Sequence, residues 1–344
     1  FLIRNGQNKA AVAAARRAVE QGNGLLPAYV VAMRCAIATR DLKWARTCAL
    51  GGVDSSLDPR PFHEMIVSLS FAQNTMDSDL MAALEFLKRK FPEDREWTER
   101  LGFVHFQKGD TSRALSVLGP LIRGEAKGLR VDSLIVAAEA ARVEGKPSQA
   151  VSILETANAM YPKTLSILNN LVYTLSLNPA TLGRARALLP ELLSLGGDSF
   201  AVKDTVAMVY FRGGQLEEAE SFMREALKGM DSKDYAALEV QLNTAEVLMA
   251  RGRKDEARST IEAILKNPKC PKPVEGRGRE LLKKLAQSRL DQELAEALRL
   301  YQVRKFDESL AIVKRVLLDP NCPADLEKAA GALLQKVADA KAGK

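Results

Sequence analysis

Apolar residues in this chain recur at three- and four-residue spacing for about a dozen positions, and each run stops at a tight polar turn. The stretch "VYFRGGQLEEAESFMREAL" (209–227) shows the arrangement once: two amphipathic patterns on either side of a Gly-Gly, with Ala219 five residues after Gly214. The same spacing returns in "GDTSRA" (Gly109, Ala114), "GKPSQA" (Gly145, Ala150) and "GRKDEA" (Gly252, Ala257). Twelve residues before each of these alanines stands another small residue: Ala207, Gly102, Ala138 and Ala245. The pattern predicts pairs of helices joined by short turns, with the small residues set where the two helices cross closely. The turn glycine ends the first helix because it accepts a left-handed backbone without penalty. Pro147 suits the first turn of the helix that follows Gly145, where a missing N–H costs nothing.

Larger residues fill the rest of each pair: Val206, Tyr210 and Met223 in one, Thr244, Leu248 and Ile261 in the next. Prolines at 162, 268 and 320 close several units. Anchor positions fall at 11, 45, 83, 114, 150, 185, 219 and 257, with spacings between 31 and 38. A unit of this period with a small-residue pair twelve apart resembles the tetratricopeptide repeat, a helix pair of about 34 residues. The match is cleanest between Trp97 and Pro268 and covers most of the chain. It implies an all-α, right-handed superhelical solenoid of stacked antiparallel helix pairs.

Departures from the pattern carry their own expectations. "SLNPATLGRA" has an extra residue and no turn glycine, so its turn should be distorted; "FAQNTMDSDLMAALEF" should have a longer polar turn. "VRKFDESL" keeps the shape of a unit with Leu310 at the small position. Residues 274–304 read either as one long helix or as two with a break near Ser288–Asp291. The chain therefore divides into a partial repeat holding only a second helix (1–23), tandem repeats (24–270), and a C-terminal unit (271–344) with a long or split helix and a capping helix from Ala324 to Ala340.

Composition changes the picture little. The 344 residues are 47% hydrophobic and 27% charged, the balance of a folded chain, and no apolar run approaches the roughly 20 residues that span a bilayer. Numbering begins at Phe1 rather than Met, so a leader could have preceded it. Periplasmic or envelope-associated and cytoplasmic locations both stay open. Cys35, Cys48, Cys270 and Cys322 form no metal-binding spacing; they read as idle or buried thiols, with one disulfide between Cys35 and Cys48 open in an oxidising compartment.

The resemblance directs function to the groove lined by first helices, where the family commonly holds a peptide or partner protein. Matched position by position, that face offers Glu139 and Arg142, then Asn169, Asn170 and Tyr173, then Asp204 and Arg212, then Asn243 and Glu246. Asparagine both donates to and accepts from a peptide backbone. The Lys and Asn set with which some relatives grip a terminal carboxylate is missing here. An enzyme is not expected: His63 and His105 are far apart with no metal-ligand spacing, and no phosphate loop or nucleophile motif occurs. No cofactor and no metal are expected, and acidic pairs such as Glu217 and Glu218 read as solvated surface. RNA is the alternative partner. The net charge is +7, and seven basic residues lie between Lys269 and Arg289. That span lacks an aromatic residue for base stacking and reads as a basic outer helix face.

Overall fold

The computed structural model describes residues 5, 7–21, 25–124, 127–232, 234–268, 270–320 and 322–342. The boundary expected at 23/24 and Lys269 at the head of the basic span lie outside them. At the turns, the glycines five residues before the anchor alanines adopt left-handed backbone: φ is 78° at Gly109, 69° at Gly145, 77° at Gly214 and 78° at Gly252. Arg40 (φ 60°), Asn74 (51°) and Arg304 (62°) take the same conformation where the sequence supplies no glycine. The turn is thus fixed by the stacking and tolerates a side chain at some cost in strain. Three of the following helices start on an aspartate whose side chain accepts a backbone N–H: Asp41 from Trp44, Asp77 from Leu80 and Asp110 from Arg113.

Nineteen helices lie among the described residues. The first, α1 (Asn8–Gln21), packs on α2 (Leu26–Ala38), which pairs with α3 (Leu42–Ser55). Three further pairs follow: α4 (Arg60–Ala72) with α5 (Ser78–Lys90), α6 (Arg95–Gln107) with α7 (Thr111–Arg123), and α8 (Val131–Val143) with α9 (Pro147–Met160). Next comes α10 (Leu165–Ser176), then α11 (Leu182–Ala187) and α12 (Leu189–Gly196). The pairs α13 (Phe200–Arg212) with α14 (Leu216–Leu227) and α15 (Tyr235–Ala250) with α16 (Lys254–Leu265) precede α17 (Lys272–Gln302), α18 (Phe306–Leu317) and α19 (Ala324–Lys341). This is the expected all-α solenoid of antiparallel helix pairs. No described helix is long and apolar enough to cross a membrane.

The chain forms two compact units, Phe1–Thr174 and Leu175–Lys344. In the first, Ile66, Val67, Leu80, Leu84, Leu87, Leu101 and Val104 make one core, and Leu129, Leu134, Ala157 and Ile167 another. Cys35 and Cys48 are buried, and all four cysteines are free thiols; burial pushes the Cys48 thiol up to about 11. In the second unit, Ala207, Met208, Ala219, Met223, Ala226, Val240 and Val247 form one core. The long helix α17 then serves two more. Leu281 and Leu285 pack with α15 and α16, while Leu290 and Ala297 pack with α18 and α19. It is one helix, with no break between Ser288 and Asp291.

The small positions behave as the pattern requires. Ala207, Ala219, Ala245 and Ala257 are fully buried, and a Cβ added to Gly102 would lie 2.5 Å from Leu118 Cγ. One assignment changes. In the last pair the small residue is Ser309, not Leu310: it lies five residues after the left-handed Arg304 and twelve after Ala297, is fully buried, and its Oγ donates to the Ala297 carbonyl at 2.7 Å. The "SLNPATLGRA" turn is irregular as expected, held by Ala180 N–H to Asn178 Oδ1 and by the Thr181 hydroxyl to the Leu175 carbonyl. The helix after it also breaks, into α11 and α12. Pro190 in the first turn of α12 has no N–H to continue the ladder.

Candidate partner-binding site

The seven expected groove residues fall into two sets, one in each unit. In the second unit, α13, α15 and α17 bring Asp204, Asn243 and Arg277 together. Asn243 Nδ2 donates to Asp204 Oδ1 at 2.7 Å, and the Asn243 carbonyl oxygen accepts from the Arg277 guanidinium. The same guanidinium donates to Glu239 Oε2 at 3.1 Å and Glu246 Oε1 at 3.0 Å. Burial raises the Asp204 carboxyl above its ordinary range, against the bond from Asn243 and the charge of Arg277. Arg212, at the end of α13, donates to Ser176 Oγ. Polar groups at these positions therefore tie successive pairs to one another, which is where their hydrogen-bonding capacity goes.

The basic span needs correcting on this point. Arg277 does not stand on a solvated outer face; it is the hub of the first-helix network. Arg279 pairs with Glu275, and Arg289 with Asp319. Glu217 and Glu218 are exposed, as expected of an outer face. Glu217 pairs with Arg251 at 3.2 Å, and Glu220, 9% exposed, is met by Arg224, Arg251 and Arg253. Burial opposes ionisation of Glu220, but the bonds and charges of these arginines outweigh it and hold the carboxyl below its usual range.

In the first unit, Arg142 Nε donates to Glu139 Oε2 at 2.8 Å, and its guanidinium carbon sits 5.9 Å from the Tyr173 ring centre. Asn170 Nδ2 donates back to the Ser166 carbonyl at 2.7 Å. Asn169 Oδ1 is buried and accepts no hydrogen bond from any described residue. Arg142 and Tyr173 are thus brought together, and the two asparagines lie beside them on α10.

A cleft of about 270 Å³ opens on the first-helix side of α4, α6 and α8, lined by Phe71, Glu99, Arg100, Phe103, Arg130, Asp132 and Ser133. Phe71 and Phe103 have ring centres 6.0 Å apart and tilted by 37°. The Arg100 guanidinium lies 5.0 Å over the Phe71 ring and pairs with Glu96 at 2.6 Å. Glu99 is only 5% exposed. Its Oε2 accepts from the Arg130 backbone N–H at 2.9 Å and from the Ser133 hydroxyl. Sequence reasoning missed these residues, although the signal was present. Glu99, Arg100 and Phe103 stand three and two before and one after Gly102. Those are the offsets of Asp204 from Ala207, of Asn243 from Ala245, and of Glu139 from Ala138.

The two histidines sit on separate helices. His63 stacks on Phe86 at 4.1 Å and its buried Nδ1 has no described partner; His105 is 5% exposed, 4.0 Å from Asp110. Burial lowers both imidazoles below their ordinary range. Among the described residues, no group of three His, Cys, Asp or Glu side chains could hold a metal ion.

Residues 238–263, spanning most of α15 and α16, match the tetratricopeptide repeat family model. Two solved structures are similar in fold. A tetratricopeptide repeat protein from Parabacteroides merdae aligns over 80% of this chain and 98% of its own, with 14% identity and a TM-score of 0.52. The C-terminal part of a TPR repeat-containing protein from Cytophaga hutchinsonii aligns over 70% and 96%, with 11% identity and a TM-score of 0.50. A comparison with curated protein sequences gives no match. The chain carries a tetratricopeptide repeat and has the fold of tetratricopeptide-repeat solenoids.

Proposed function

We propose that this chain is a non-enzymatic scaffold that holds a peptide or partner protein on the face formed by its first helices. The observation that carries the reading is the cleft of about 270 Å³ built by three successive first helices, α4, α6 and α8, and lined by two phenylalanines together with charged and polar side chains. A preformed concavity with a few convergent polar groups is the usual form of a recognition site. Arg142, Asn169, Asn170 and Tyr173 extend the same face within the first unit. In the second unit, Asp204, Arg212 and Asn243 stand on its own first helices, with their polar groups already partly engaged between helices. RNA is not favoured, since Arg277, Arg279 and Arg289 are matched by carboxylates and offer phosphates little unbalanced charge.

Site-specific photo-crosslinking tests this. A photoreactive phenylalanine analogue at Phe103 and at Tyr173 is expected to trap a discrete partner in cells expressing the protein. The same analogue at the exposed outer-face Glu218 is expected not to. Equal trapping at all three positions, or trapping at Glu218 alone, overturns the assignment of the face.

A further inference from the structure

We infer that the cleft between α4, α6 and α8 is an anchoring pocket for a basic side chain of the partner, with the aliphatic stem against Phe103 and the cation on Glu99. The inference rests on the first-helix face being the partner surface and adds the chemistry that one part of it selects.

The charges around the cleft decide the sign. Arg100 is answered by Glu96 at 2.6 Å, and Arg130 faces Asp132 at 4.0 Å. Glu99 lies deepest and makes no ion pair with a described residue; its two hydrogen bonds come from a backbone N–H and a hydroxyl, both neutral donors. Both land on Oε2. That oxygen alone anchors the start of α8, and Oε1 keeps its accepting capacity. A buried carboxylate without a cation is costly, and a charge-assisted hydrogen bond from an incoming ammonium or guanidinium would offset that cost. Apolar and π surface of the kind that a lysine or arginine stem uses is supplied by the two phenylalanines. Arg100 is already spread over Phe71, which leaves Phe103 as the open ring for the incoming side chain. A hydrophobic partner residue would satisfy the rings but leave Glu99 uncompensated, and an acidic one would be repelled by it.

Structural and recognition roles of Glu99 separate cleanly in Glu99→Gln. The amide oxygen still accepts from Arg130 N–H and the Ser133 hydroxyl, while the charge is lost. The experiment titrates methyl-labelled protein with N-acetyl-lysine amide, N-acetyl-arginine amide and neutral N-acetyl-norleucine amide, reading methyl shifts on α4, α6 and α8. The expected result is saturable binding of the two cations, with Kd on the order of 10 mM for so small a probe. Binding should weaken about tenfold in Glu99→Gln and fall also in Phe103→Leu, while norleucine amide binds weakly to all three proteins. Norleucine binding as strong as lysine, unchanged cation binding in Glu99→Gln, or no saturable shift overturns the inference. Retained crosslinking at Phe103 alongside any of these results would show that the face binds a partner and that only its preference for a cation is wrong.

Discussion

One substitution, made at two sites, separates helix propensity from helix crossing. Gly102 lies within α6 and Gly276 within α17. Replacing a helical glycine by alanine gains about 0.5–1 kcal/mol from backbone entropy alone. At Gly276 nothing lies within 4 Å of the new methyl group, so the full gain should appear. At Gly102 the methyl would meet Leu118 Cγ at 2.5 Å, Cδ2 at 2.7 Å and Cδ1 at 2.9 Å. Leu118 is 1% exposed, so any shift must be made inside the packed interior. Overpacking of this kind costs about 1–3 kcal/mol, which exceeds the propensity gain and leaves Gly102→Ala net destabilising by roughly 1 kcal/mol. Stacked repeats open locally rather than all at once, so hydrogen exchange with mass spectrometry is the suitable assay. Protection should fall on peptides from α6 and α7 in Gly102→Ala and rise on peptides from α17 in Gly276→Ala. Leu118→Val in the Gly102→Ala background should recover part of the loss, giving a coupling of about 0.5–2 kcal/mol. If both alanines stabilise, or Leu118→Val shows no coupling, close crossing at the small positions is not what holds α6 to α7.

Arg304→Gly should stabilise the last pair by about 0.5–1 kcal/mol, because it relieves left-handed strain on a side chain at φ 62°; chemical denaturation showing a loss would contradict this. His63→Phe removes a buried nitrogen without a described partner and keeps the stack on Phe86, with a neighbouring cleft of about 320 Å³ to accept the larger ring. The His63 imidazole is held below its unfolded value near 6.5, so its neutral form stabilises the fold above that pH and the stability is lost as pH falls below it. The advantage of the phenylalanine variant in thermal melts should therefore grow from pH 7 to pH 5; a constant difference would refute the burial argument. Asp204 behaves in the opposite sense. Its raised carboxyl binds a proton more readily folded than unfolded, so stability is fullest below the unfolded value near 3.8 and declines as pH rises through the folded one. Asp204→Asn should remove that decline and stay within about 1 kcal/mol of wild type at pH 7, whereas Asp204→Ala should lose about 1–3 kcal/mol by stranding Asn243; equal losses in melts of the two would refute the hydrogen-bond reading.

The fold was legible because its determinants are periodic. A small residue, a turn and a second small residue recur at fixed offsets, and each is imposed by a contact that only a small side chain or a left-handed backbone allows. The pattern failed where the contact could be met by other chemistry. Arg304 supplies a turn that reads as glycine elsewhere, so the register around it was set one residue late, at Leu310 rather than Ser309. Pro190 was visible in "LLPELL", but a proline in the first turn of a new helix and one that breaks an old helix look alike until the neighbouring turn is seen. The continuity of α17 was undecidable from polarity, because its two halves face different cores.

The site was harder to read, because polar ties between helix pairs obey the same period as the core. Glu220 to Arg251 spans 31 residues, Ser133 to Glu99 spans 34 and Asn243 to Asp204 spans 39. A polar residue on a first helix can therefore be a rung of the stack or a contact for a partner, and composition does not distinguish the two. Balance of charge does. Glu220 and Glu99 are comparably buried, at 9% and 5%. Three arginines close on Glu220, so that its charge is spent within the fold. Glu99 receives neutral donors on one oxygen only, beside two phenylalanines and an open cleft. Removing the charge of a buried, well-paired carboxylate destabilises strongly, because its arginines are left exposed to each other. Removing the charge of one that is neutrally bonded takes away an uncompensated buried charge while keeping its accepting oxygen, so stability should hold or rise and the loss should appear in recognition. Glu220→Gln and Glu99→Gln should therefore diverge in thermal melts, the first falling and the second holding or rising. Similar losses in both would mean that Glu99 belongs to the scaffold.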